Sequence, residues 1–245
     1  MLNPRGQFLS ELGDLSRLRG LEIGALDNPL VERLKGGNNI FYLDHLSTGD
    51  LKKKYETDSS VQKEKIVSVD FVCPNGDLLD AVGDQKFDYI ILSHVIEHSP
   101  NLLKLLADLS DILEPGGFLF LVVPDKRFTF DFYRPVTTFG MLLENYLGNK
   151  VAPSISSVYD HFSTAIWLDP NEVWTGAFDF QSSKPLSSLS NAWEAANLVS
   201  KEEAYIDVHI NIFTPQSFFK IFEQVIQHEI VELEVKKYKD TGIGQ

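Results

Sequence analysis

One cysteine, Cys73, stands in 245 residues, and that scarcity excludes an intrachain disulfide and any cysteine-ligated zinc or iron–sulfur centre. Basic residues are also few: 22 Lys and Arg against 35 Asp and Glu leave a formal net charge of −13. An acidic surface repels phosphate backbones, so no nucleic-acid partner is expected. Long apolar runs are missing; Phe118–Pro124 is far too short to span a bilayer, and no membrane partner is expected either. The first fifteen residues lack an apolar signal core and a small-residue cleavage site. With no internal repeat, the chain reads as soluble and cytoplasmic. What is present, 43% hydrophobic and 11% aromatic residues, suffices for one substantial core.

Apolar spacing orders that core. Positions 8, 9, 12, 15 and 18 predict a helix over 7–18. Leu21–Gly24 reads as a short buried strand, and Asn28-Pro29 as the cap and first position of a helix reaching Lys35 before Gly36-Gly37. Asn39–Asp44 is a second strand, about Thr48–Tyr55 a charged helix, and Ile66–Val72 a third strand. Phe87–Ser93 is continuously apolar, as in a strand buried on both faces. A leucine-rich helix over Pro100–Leu113, a turn at Glu114–Gly117 and a fifth strand at Phe118–Val123 follow. This alternation predicts an α/β fold with a doubly wound, mostly parallel, Rossmann-like sheet.

From about 126 to 205 the periodicity weakens among many aromatics, with helices expected near Thr138–Leu147 and Leu189–Val199. The stretch reads as an insertion after the fifth strand, either a lid or acceptor pocket, or a satellite core or dimer contact. Thr214-Pro215 then opens a helix, and Ile230–Tyr238 alternates as a sixth strand. The expectation is a single domain over 1–245, its core about 7–125 and 206–238.

In a parallel sheet, ligands bind beyond the carboxyl ends of the strands. Polar residues collect there: Gly24 after the first strand, Asp44-His45 after the second, Ser93-His94 with Glu97-His98 after the fourth. A carboxylate twenty residues beyond a glycine turn is placed to accept bonds from both ribose hydroxyls of an adenosine cofactor. The turn lacks a full G-x-G-x-x-G, and Asp27 stands where a pyrophosphate would want uncharged N–H groups. Both features argue against NAD or FAD and favour an adenosine cofactor with a positive centre and an amino group.

Leu21-Glu-Ile-Gly24, Asp44, the run from Phe87 to His98, Leu113–Gly117 and Pro124-Asp125 together resemble the class I S-adenosylmethionine-dependent methyltransferases. The EIG-x-L-x-N-P-L, HVIEH, PDKRFTFDFYRP and DVH-x-x-x-FTP segments are similar to bacterial, type 11-like methyltransferase domains found beside glycosyltransferases. The resemblance implies S-adenosyl-L-methionine as cofactor. Glu22 and Gly24 would shape the loop under its methionine part, and Asp44 would bind the ribose. Gly76, Asp77 and Leu78, or alternatively Asp70, would frame adenine; Ser93 and His94 would border the sulfonium. The usual second and third glycines of the first loop are Leu26 and Asn28 here. That fold usually closes with a seventh strand, and only six are counted, so the seventh is expected to be missing.

Methyl transfer to an alcohol needs an aligned acceptor and removal of its proton, work suited to histidine. Asp160-His161 and Asp207-x-His209 are base-plus-orienter candidates, with His209 favoured; His98 either lines the pocket or caps the fourth-strand turn. A zinc site on His94 and His98 would have to borrow a third ligand from Asp160, His161, Asp207 or His209; without an HExxH pattern, no metal is expected. Lys126, Arg127 and Arg134 either hold an acidic acceptor or pair with Asp125 and Asp131. The expected activity is methyl transfer to a small or carbohydrate-linked acceptor at a hydroxyl oxygen. The alternatives are a nicotinamide-linked oxidoreductase and a non-catalytic methyltransferase-fold partner of a glycosyltransferase. A homodimer or a glycosyltransferase is the protein partner considered.

Overall fold

The computed structural model describes residues 4–34, 39–202 and 205–242. They form two compact units. The first runs to Val95 and adds Leu105–Val122; the second combines Ile96–Lys104 with Val123 onward.

The first unit holds five strands: β1 (Arg19–Ile23), β2 (Asn39–Asp44), β3 (Phe71–Val72), β4 (Phe87–Ser93) and β5 (Leu113–Val122). All pair in parallel, in the order β3-β2-β1-β4-β5. The order reverses beside β1, which creates the crevice where such sheets take ligands. The apolar β4 lies between β1 and β5, with Phe87, Tyr89, Ile90, Ile91 and Leu92 all at most 1% exposed. The Tyr89 ring stacks on Phe118 and crosses Gly20 of β1, where a Cβ would lie 2.0 Å from Tyr89 Cζ.

Several sequence expectations shorten or fail here, each for a local reason. The first helix is α1 (Pro4–Ser10), because Gly13 takes φ +121° and Asp14 accepts the N–H of Ser16. No helix forms over 29–34, where the Glu22 carboxylate accepts the N–H groups of Leu30 and Val31, at 2.7 and 3.1 Å. Lys35–Gly37, where that helix was to stop, lies outside the described residues. The third strand shrinks to two residues, since the Asp70 side chain itself accepts the Tyr42 N–H at 2.8 Å. The expected turn at Glu114–Gly117 is a bulge within β5, for Leu113 pairs with Phe87 and Phe118 with Tyr89. Between the strands run α2 (Thr48–Lys54), α3 (Leu78–Val82) and α4 (Leu102–Asp111).

The second unit is helical: α5 (Phe139–Leu147), α6 (Ile155–Thr164), α7 (Pro170–Thr175), α8 (Leu189–Glu202) and α9 (Pro215–Gln227). Periodicity did not mark α6 and α7; their start signals are Ser154 and Asp169, each capping an N–H two or three residues on. A small core of Val158, Val208 and Ile210, with Phe162, Ala195 and Val199 around it, packs α6 and α8 together. Thr214 opens α9 with a reciprocal capping box to Ser217. Ile230–Tyr238 forms no strand. Alternation alone cannot make one without a neighbouring edge to take its backbone groups. After β5, Asp125 forms an isolated bridge with Phe213, and the Phe213 carbonyl accepts the Lys126 N–H at 2.8 Å. Among the described residues, no helix is long and apolar enough to cross a membrane.

Candidate active site

In the first unit, strand register brings the carboxyl ends of β1, β2 and β4 level: Ile23 pairs with Leu43 on one side and Leu92 on the other. The chain leaves β1 at Gly24, whose N–H donates to Leu43 O at 3.0 Å and whose φ is +70°. A Cβ there would lie 2.9 Å from Val95 Cγ2, so only glycine fits comfortably. Leu26, where the usual second glycine would stand, also adopts a left-handed conformation, at φ +48°. The Val67 N–H donating to Leu26 O at 2.8 Å holds it there. Glu22 braces this loop from beneath through Leu30 and Val31. Burial pushes its carboxyl up to about 7, against the pull of those two N–H donors.

Asp44 ends β2 at 8% exposure, and its Oδ1 is buried with no hydrogen-bond partner. His45 Nδ1 lies 2.6 Å from that oxygen without hydrogen-bond geometry. A buried carboxylate oxygen lacking a donor is energetically costly and calls for one. The residues therefore fit the ribose of an adenosine cofactor: a free acceptor stands beside a glycine turn with no Cβ. Ser93, at the end of β4, accepts from Arg5 Nη1 at 3.3 Å, and the exposed His94 takes φ +57°. Non-glycine residues held in that region cluster at functional sites. Asp70 is engaged by Arg33 and by the Tyr42 N–H. Gly76 and Asp77 are exposed ahead of buried Leu78, with Asp77 capping α3. The structure thus gathers all nine expected cofactor residues in one unit.

The histidines expected to act on the acceptor lie in the second unit. His209 Nδ1 is 2.5 Å from Asp131 Oδ2, and Asp131 is 2% exposed. Arg134, 4% exposed, donates from Nη1 to Asp131 Oδ1 at 3.2 Å and to His209 O at 2.5 Å. Burial raises the Asp131 carboxyl, but His209 and Arg134 outweigh it and hold it below the ordinary range. His98 Nδ1 lies 2.8 Å from Asp207 Oδ1, and its ring meets that of His209 edge-on at 4.8 Å. Burial lowers the His98 value, yet the Asp207 carboxylate and Glu97 leave it raised overall. The orienters therefore differ from the expected pairing: Asp131, 78 residues distant, serves His209, while Asp207 serves His98. The sequence held one sign of Asp131, a carboxylate between Phe130 and Phe132 in an apolar run that must find a partner.

His161 stands on α6 against Phe130 and Phe162, its Nδ1 buried without a hydrogen-bond partner. Burial takes it down to about 4. Of the three bases, Arg134 is enclosed with Asp131, and Arg127 pairs with Asp125, Nε to Oδ2 at 2.9 Å. Lys126 donates to Phe132 O, and burial lowers its value. Both arginines thus take the pairing alternative, although 42% of the Arg127 side chain stays exposed.

A family model described as a methyltransferase domain matches residues 6–203. No curated protein matches the chain. Among solved structures, the CcbJ methyltransferase from Streptomyces caelestis is 14% identical, covering 56% of this chain and 53% of its own, with a TM-score of 0.35. The CurJ carbon methyltransferase is 15% identical over 89% of this chain and 43% of its own, at TM-score 0.37. An S-adenosylmethionine-dependent methyltransferase from Clostridium acetobutylicum is 14% identical over 50% and 51%, at 0.30. The chain spans about half the length of these proteins or less. The family model, matching four-fifths of the chain, rather than these distant likenesses, places the protein among the class I S-adenosylmethionine-dependent methyltransferase domains.

Proposed function

We propose that this chain binds S-adenosylmethionine at the carboxyl ends of β1, β2 and β4 and transfers its methyl group to a hydroxyl oxygen of a small or carbohydrate-linked acceptor. The observation that carries the reading is Asp44 Oδ1, buried and without a hydrogen bond beside the Gly24 turn. Asp44 would accept from the ribose hydroxyls, and Gly24, braced by Glu22, would leave room for the methionine part. Because Asp70 is held by Arg33 and Tyr42, adenine falls to Gly76, Asp77 and Leu78. Ser93 and His94 would border the sulfur. When bound, the cofactor supplies a methyl group on a positively charged sulfur.

The chain's own task is to align the acceptor and exclude water. The acceptor hydroxyl must also lose its proton as the new carbon–oxygen bond forms. Within the second unit, Asp131 holds the Nδ1 side of His209, which leaves its Nε2 to accept a hydroxyl proton. An acidic group on the acceptor meets Arg127, the base with the exposed side chain, while Arg134 positions His209.

Calorimetry with S-adenosylmethionine and S-adenosylhomocysteine tests the reading. One site per chain is expected, and absence of binding at millimolar ligand would overturn it.

A further inference from the structure

Beside His98 and His209 stands a third potential ligand, Glu97, 1% exposed. One donor atom from each of Glu97, His98 and His209 lies within 4.8 Å of the others. We propose that these three side chains bind a divalent first-row transition ion. Two imidazoles and one carboxylate match the donor set that such ions take while keeping coordination positions open.

Two further features fit an ion rather than chance crowding. First, Asp131 holds the Nδ1 of His209 at 2.5 Å, the way a metal-binding histidine is oriented with Nε2 left for the ion, and Asp207 Oδ1 lies 2.8 Å from His98 Nδ1 without hydrogen-bond geometry. Second, the two ligand-bearing segments are stapled together. Glu97 O accepts from the N–H groups of Ile210 at 2.6 Å and Asn211 at 3.0 Å. The Asn211 amide returns bonds to Ile96 O and Ser99 O, both at 2.8 Å. A site fixed before the ion arrives binds it without the entropy of ordering loops.

The acceptor role of the ion rests on the methyl-transfer reading, whereas its binding does not. With the ion in place, the imidazole electron pairs are committed to the cation and no longer take the proton themselves. The cation holds the hydroxyl and acidifies it, so that its proton passes to water as the carbon–oxygen bond forms.

The test is calorimetric titration of the full chain, stripped with chelator, with Zn²⁺ and separately Mn²⁺. One ion per chain is expected for the wild type and for H228A, which removes a histidine at the end of α9. E97Q, H98A and H209A should lose the site, and D131N should weaken it about 10–100-fold. S-adenosylhomocysteine binding, measured on the same preparations, should survive in E97Q and certifies the fold. No binding by wild type at millimolar metal, or binding that persists in E97Q, H98A and H209A, would overturn the proposal. If metal binds and S-adenosylhomocysteine does not, the site stands and the methyl-transfer reading falls.

Discussion

Asp44 and Glu22 are carboxylates on neighbouring strands of the same sheet, and burial uses them differently. Asp44 keeps one oxygen without a donor, so its contribution is made on ligand binding. Hydrogen bonds to a charged group contribute about 1.5–3 kcal/mol, so D44A should weaken S-adenosylhomocysteine binding by about 10–100-fold. Its circular dichroism should match wild type; unchanged affinity would show that the ribose lies elsewhere. Glu22 makes its contribution within the fold. Its carboxyl sits at about 7 in the folded chain against an ordinary 4.5. Between those values the folded state holds more protons than the unfolded one, so stability falls as pH rises. The favourable contribution is complete below pH 4.5 and gone above about 7, a loss on the order of 3 kcal/mol. Urea midpoints at pH 5 and pH 8 read it directly. E22Q, neutral throughout, should flatten that slope, and an equal slope in the variant would assign it to another group.

At the scale of elements, close packing is sharpest where β1 crosses Tyr89. Gly20 pairs with Ile40 and Tyr89 in two ladders at once, so its backbone has no room to yield. G20A should cost about 3 kcal/mol, the upper range for overpacking, and the penalty should shrink in a Y89L background where the ring is gone. T214A removes the α9 cap and should cost about 1 kcal/mol in chemical denaturation. These elements were legible because their signals are local: the apolar run of β4, the Thr-Pro start of α9, the glycine that closes β1. The errors arose where a distant side chain took over a backbone partner. Asp70 takes a ladder position from β3 by accepting the Tyr42 N–H. Ile230–Tyr238 had the alternation of a strand and pairs with none. The same division runs through the candidate site. Gly24 and Asp44 follow from a spacing of twenty residues, whereas the pairing of Asp131 with His209 spans 78 and carries no periodic trace.

For the whole molecule, ligand binding and stability are one measurement. A ligand that binds only the folded chain stabilises it by RT ln(1 + [L]/Kd), about 2.7 kcal/mol at one hundred times Kd. A chain of this size shifts by roughly 2–4 °C per kcal/mol, so saturating S-adenosylhomocysteine should raise the melting temperature by about 5–10 °C. The shift should grow with the logarithm of ligand concentration, shrink by half or more in D44A at the same ligand concentration, and persist in E97Q. Salt acts on a different quantity. The net charge of −13 repels itself in the folded state, so added NaCl should raise the melting temperature with or without ligand. Scans at fixed ionic strength separate the two effects. A thermal shift of equal size in D44A and wild type would mean that the adenosine ligand stabilises the chain without the carboxylate at the end of β2, and the cofactor site drawn at that strand end would have to be abandoned.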